Sequence, residues 1–315
     1  MKLENLENKG CRDGYGEALV ELGKKDKNTI AMCGDLEGST RAKMFQKEFP
    51  DRFFTAGIAE QNLVNVAAGL SLVGFVPHVS SFGVFTLRAI EQVRNTISVS
   101  DLNVKIAGSH CGINVGKDGP TQMGLEEISI YRALPNFIVL WPCDANQTYQ
   151  ATLAMHKHKG PVYIQWGRDD TPVITKKNEP FKIGKAQIFQ EGTDVTLIAS
   201  GSMVHPTLVA AEALKKKNIS AEVINIHTIK PIDEPAIIKS AKKTGAVITA
   251  EDHQKFGGLR SVIAEVLSSN QPTIMDFVAV DDVHAESGSS TELFEKYGLT
   301  VDDIVKKAED IISKK

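Results

Sequence analysis

A carboxylate heads one of the most apolar stretches of the chain. In TAGIAEQNLVNVAAGL (55–70), Glu60 sits among Ile58, Leu63, Val64, Val66, Ala67, Ala68 and Leu70, which leave almost no polar face. An acid there starts a helix well, because the first turn offers unpaired N–H groups and the positive end of the dipole. That reading leaves open why a charge should stand at the mouth of a segment that looks built for burial.

Four other stretches group residues able to do chemistry. CGDLEGST (33–40) follows a strand pattern. Ligands of open α/β sheets lie outside the carboxyl ends of the strands, so Asp35 and Ser39 stand where a ligand would lie. A plain turn, with Ser39 capping the next helix, accounts for them equally. No Walker loop and no GxGxxG follows any strand. VSSFGVFTLRAIEQV (79–93) places Phe82 and Phe85 three apart ahead of a helix. Such a pair is either core or a platform for a flat ligand. Ser80, Ser81 and Gly83 interrupt the run and predict a loop over a cavity. GSHCGINVGKDGPTQMG (108–124) has five glycines and gathers His110, Asn114, Lys117, Asp118, Thr121 and Gln122. Ordering so glycine-rich a loop is costly in entropy, and loops so placed carry function. Arg168, in VYIQWGRDDTP (162–172), ends a strand and suits a phosphate or carboxylate; a structural pair with Asp169 or Asp170 is the alternative. The histidines elsewhere read as structural, with His253, in AEDHQKFGGL, left open. No HExxH and no carboxylate cluster points to a tightly held metal.

The elements that must carry these groups alternate along the chain. Strand patterns run over 28–35, 104–109, 137–142, 161–167, 194–201, 220–226, 245–252 and 273–280, several as continuous apolar runs of the kind covered on both faces in parallel sheets. Helix patterns fall near 14–24, 60–73, 86–98, 123–134, 144–158, 205–217, 233–243, 257–268 and 301–313. The order predicts an α/β protein of two domains, each a mostly parallel sheet flanked by helices. A polar, Pro- and Gly-bearing stretch near 170–192 sets the expected domains at 1–180 and 190–315. The length of 315 residues suits two such domains.

Composition excludes other classes. The chain has 36 basic and 39 acidic residues, a net charge of −3, so nothing asks for nucleic acid or a charged membrane as partner. The four cysteines are scattered without CxxC spacing, there is no apolar signal core, and no run approaches a membrane span. These features predict a cytoplasmic protein with reduced thiols.

Taken in order, GIAEQNLVNVAAGL, SSFGVF, AGSHCGINVGKDGPT, SGSMVHPTLVAAEAL and the closing ESGSSTELFEKYGLTVDDIVKKA resemble the C-terminal half of transketolase over nearly the whole chain. The likeness is nearest to the stand-alone C-terminal subunit of a split, two-gene transketolase. Deoxyxylulose-phosphate synthase and the β subunit of 2-oxo acid dehydrogenases share the layout and are the alternatives, with a non-catalytic interaction subunit as an alternative of another class. The resemblance implies a pyrimidine-binding domain followed by a transketolase C-terminal domain. It implies thiamine diphosphate as cofactor, with its diphosphate and Mg²⁺ held by a GDG motif that this sequence lacks. A partner subunit, the N-terminal half, is therefore expected to hold them, in a heterotetramer.

Roles follow from the same likeness. Glu60 resembles the catalytic glutamate that bonds N1′ of the aminopyrimidine, and the apolar run around it is expected to raise its pKa so that it shares a proton. Phe82 and Phe85 match aromatics on the pyrimidine, and Asp35 an acid near the thiazolium. His110 and Asp118 match groups that bind sugar hydroxyls, His110 counting also as catalytic. Arg12, Ser39 and Arg168 match the phosphate-binding set. Gln122 stands where the family usually has His, and Arg88 where a third aromatic is common. The implied reaction moves a two-carbon ketol unit from a ketose phosphate to an aldose phosphate.

Overall fold

A computed structural model describes residue 3 and residues 5–315. Seven strands form the first sheet, in the spatial order Thr228–Lys230, Ile138–Leu140, Val162–Gln165, Lys105–Ser109, Val76–Phe82, Thr29–Cys33 and Phe53–Thr55. All neighbours run parallel except the first, which pairs antiparallel with Ile138–Leu140. Five strands form the second, in the order Ile274–Val280, Ala246–Gln254, Val195–Ala199, Ala221–Asn225 and an antiparallel edge, Gln187–Gln190.

Strand alternation sorts the apolar residues between layers. Ala31, Cys33, Ala107, Leu140 and Ile164 face the helices Cys11–Lys25 and Ala145–Lys157. Ile30, Met32, Ile106, Val139 and Tyr163 face the other way, toward Leu63, Val64, Ala67 and Ala68 of the helix Glu60–Leu72. That second cluster continues through Trp141, Ile226 and Ile229 to Ile198, Ile224 and Val247 of the second sheet. One core therefore joins the two sheets, and Thr228–Lys230 leaves the second unit to edge the first.

Two expectations need correction. The 79–93 stretch contains no loop over a cavity: Val76–Phe82 is an inner strand, paired on both sides, and the helical segment starts at Gly83 directly after it. Of the two serines that suggest a loop, Ser80 is satisfied inside, its Oγ 2.8 Å from Tyr15 Oη, while Ser81 Oγ is buried without a partner among the described residues. At the start of the strand His78 Nε2 lies 3.1 Å from His156 Nδ1. Nor is the run after Glu60 buried all round. Ile58, Leu72 and Val73 are 74%, 72% and 73% exposed, with Val99 at 69% and Val66 at 42%, so large apolar side chains stand uncovered on this face among the exposed Gln61, Asn62 and Asn65. Among the described residues no helix is long and apolar enough to cross a membrane.

Candidate active site

The carboxyl ends of neighbouring strands in the first sheet bring the chemical groups together. Asp35 and His110 each follow a strand and hold φ of 63° and 59°, a left-handed conformation that residues other than glycine rarely adopt. Phe82 ends its strand, and Glu60 opens its helix. The His110 ring stacks on Phe82 with centroids 3.8 Å apart, and Phe82 on Phe85 at 5.5 Å. The guanidinium of Arg88 lies 4.3 Å from the Phe85 centroid and donates from Nη1 to Glu60 Oε1 at 3.0 Å. A column of four flat groups therefore runs from His110 to the carboxylate of Glu60. Beside it opens a cavity of about 240 Å³, lined by Gly34, Asp35, Leu36, Ile58, Glu60, Phe85 and Arg88. Glu60 itself is buried, but its setting is not the apolar one expected, since a cation sits on it.

The other end of the column is electropositive. His110 is buried, and its Nδ1 lies 2.8 Å from Ser109 Oγ. Burial first, and then the fields of Arg12, Arg168 and Arg41, bring its pKa down to about 3, so the imidazole stays neutral. Three guanidinium groups thus lie near enough for their charge to act on it. The Nε of Arg12 is buried without a partner among the described residues. Arg168 donates from its backbone N–H to Asn114 Oδ1 and from Nη1 to Val115 O, both at 3.0 Å, and lies 3.9 Å from Asp118. No ion pair with Asp169 or Asp170 forms among the described residues. Arg41 donates from Nε to Asp13 Oδ1 at 2.6 Å and holds φ of 66°. Nothing in its local sequence marks it beyond its place two residues after Ser39 on the same turn. Ser39 is half-buried there and caps no helix, since Ala42 holds the N-cap of Lys43–Glu48. Gln122 lies apart, half-buried, in a turn closed by its N–H on Gly119 O at 3.0 Å.

Glu127 is a buried acid that sequence reading passes over. Its carboxyl packs against Gly83 and Gly124, where any Cβ would collide with it, and against Cys111. Burial pushes its pKa from 4.5 up to about 8. Such a group favours the fold while neutral. Above about pH 4.5 the unfolded chain ionises it and the folded chain does not, so stability falls as pH rises, until the folded carboxyl ionises near 8. Glu127→Gln cannot ionise. Its advantage over the native chain in urea unfolding should widen by about 2 kcal/mol between about pH 6 and about pH 9. A gap that stays constant with pH would show that the carboxyl does not titrate in this way.

Known proteins match the chain over nearly its whole length. The model of the transketolase pyrimidine-binding domain matches residues 8–173, and that of the transketolase C-terminal domain matches residues 184–304. The chain belongs to the transketolase family. A putative transketolase C-terminal section from Methanocaldococcus jannaschii is 45% identical over 95% of this chain and 95% of its own length. A 6-deoxy-6-sulfo-D-fructose transketolase subunit from Clostridium sp. is 41% identical over 98% of this chain and 97% of its own length. A solved structure described as a split gene transketolase, an inactive β4 tetramer, superposes with a TM-score of 0.91 at 43% identity, covering 96% of this chain and 98% of that one. In this transketolase chain the stacked column and the arginine set all come from residues matched by the pyrimidine-binding domain, with Arg12, Phe85 and Arg88 on helical segments. Among the described residues no group of three His, Cys, Asp or Glu is placed to hold a metal.

Proposed function

We propose that this chain is the C-terminal subunit of a split transketolase, which moves a two-carbon ketol unit from a ketose phosphate to an aldose phosphate at a site completed by a partner subunit. The observation that carries the reading is that Glu60, Asp35 and Phe85 face one cavity while arginines gather at the far end of the same column.

The residues fit thiamine diphosphate. A flat ring needs an aromatic face and a carboxyl beside its nitrogen, and Phe85 and Glu60 supply both. Arg88, a flat nitrogen-bearing group, already makes those two contacts. The cofactor supplies a nucleophilic carbon that accepts and releases the two-carbon unit. Glu60 would hold the proton at N1′ of the pyrimidine and Phe85 would offer that ring an aromatic face. Phe82, the expected second platform, is stacked between His110 and Phe85 and would back Phe85 rather than meet the ring. Asp35 would stand toward the thiazolium. His110, neutral and backed by Ser109, binds a sugar hydroxyl together with Asp118, and Gln122 is a further hydroxyl partner. Arg12, Ser39 and Arg168 take the terminal anion, and Arg41 adds to their field. Mg²⁺ and the diphosphate belong to the N-terminal-half partner, since this sequence has no GDG triplet. Two copies of each subunit make the working heterotetramer, acting on phosphosugars of the pentose phosphate pathway in the cytoplasm.

The terminal anion has a second reading. The relative from Clostridium is named for a sulfonated fructose, and the same guanidinium groups suit a sulfonate. Assays with matched phosphate- and sulfonate-ended ketoses separate the two.

The main test is reconstitution. This chain alone, given thiamine diphosphate and Mg²⁺, should transfer no ketol unit, and turnover should appear on adding the subunit that carries GDG. Full activity of the isolated chain overturns the divided site, and no turnover of any ketose by the mixture overturns the reaction.

A further inference from the structure

Asp252 stands near the carboxyl end of the strand Ala246–Gln254 in the second sheet, yet its side chain serves the glycine-rich loop of the first unit. It is buried, and it accepts the N–H of Ile113 at 2.7 Å and that of Asn114 at 3.4 Å. Gly112, at φ 85°, lays the chain against this carboxylate, and a Cβ there would collide with it. Two residues on, the N–H of Gln254 donates to Leu125 O at 2.9 Å. One strand end therefore holds both ends of the loop.

The loop is also packed from the same side. Ile113, Val115, Met123 and Leu125 are buried in a cluster whose other members include Leu197, Ala250, Val280 and Leu293. Ser290, at the start of the helix Ser290–Lys296, has its Oγ 3.1 Å from Asn114 O and also against the Asp169 carboxylate, so its one proton is shared between these two acceptors. Asn114 in turn accepts the backbone N–H of Arg168, whose guanidinium bonds Val115 O. The place of Arg168 is thus set by a backbone that the second domain grips. Asp252 does not line the cavity beside Glu60.

We propose that the second domain is the template for the anion-binding end of the site, with Asp252 the positioning residue that fixes Asn114 and, through it, Arg168. The inference rests on the reading of that end as one for an anionic sugar. Its physical basis is that a guanidinium displaced by a fraction of an ångström loses much of its charge-assisted bonding.

The test uses the assembled enzyme and one ketose with and without its terminal phosphate. In Asp252→Asn the ratio of kcat/KM for the phosphorylated over the unphosphorylated donor should fall about 10-fold, carried by KM. Ser290→Ala, at a half-buried position, should lower the same ratio by about 3-fold. Hydrogen exchange on the full chain gives a second readout, in which the amides of Ile113 and Asn114 should exchange faster in Asp252→Asn while the rest of the strand keeps its protection. An unchanged ratio, or a loss equal for both donors, overturns the proposal, as does unchanged exchange at Ile113 and Asn114. A native assembly that turns over no ketose overturns the proposed reaction instead, and the exchange result then decides the template.

Discussion

Glu60→Gln in the assembled enzyme should cut kcat by about 100-fold or more while leaving the thermal midpoint nearly unchanged. Gln matches Glu in shape but has no proton to hold and release at a ring nitrogen, and positioned acid–base groups contribute ~10²–10⁴ in rate. The cost to the fold is small for a structural reason. The only charged partner of Glu60 within the described residues is Arg88, whose side chain is 50% exposed and is rehydrated easily when the pair is lost. An acid in the first turn of a helix contributes about 0.3–1 kcal/mol, which Gln forfeits in part. Steady-state kinetics beside a thermal melt separates the two purposes. Lost stability with unaltered turnover per folded molecule would return Glu60 to a helix-starting role.

The second large effect concerns the uncovered apolar face. Val66, Leu72 and Val73 lie on the exposed half of the helix Glu60–Leu72 and its end, around the polar Gln61, Asn62 and Asn65, with Ile58 ahead and Val99 on the neighbouring segment. The Asn65 side chain lies 3.4 Å from Thr96 Oγ1, and Gln61 donates to Arg88 O, so the two segments form one surface beside the candidate site. Covering a Val or Leu completely is worth about 1.5–3 kcal/mol, and burying an unpaired carboxylate in its place costs more. The pair Val66→Asp and Leu72→Asp should therefore weaken assembly with the partner by at least about 100-fold and remove turnover at dilute concentration. Both positions are exposed, so the separate chain should keep its fold, read by circular dichroism. Sedimentation measures the assembly. Undiminished association would place the partner on another face.

How far the sequence carries depends on whether a feature is local. The continuous apolar strands are legible because a parallel strand covered on both faces needs little but its own residues. Val76–Phe82 is not, since Pro77, His78, Ser80 and Ser81 are polar or turn-like until Tyr15 and His156 arrive from helices far along the chain. At the site, the types of Glu60, His110, Asp35, Arg12 and Arg168 are visible in their motifs. The guanidinium on Glu60 comes from 28 residues away and Asp252 reaches its loop across 139, distances at which periodicity carries no information. The run behind Glu60 misleads in a different manner, because an apolar residue reads the same whether the chain's own core or another molecule covers it.

The strand Thr228–Lys230 bears on how such a chain can be inherited. It belongs to the later of two family domains, yet it closes an edge of the earlier one's sheet. A gene break between the two domains would leave Ile138–Leu140 as a bare edge, open to pairing with other chains. The two domains are thus a poor place for fission, and in the M. jannaschii relative the match runs through both on one polypeptide. Modules that look separable by family boundary are, at the level of hydrogen bonds, a single heritable piece.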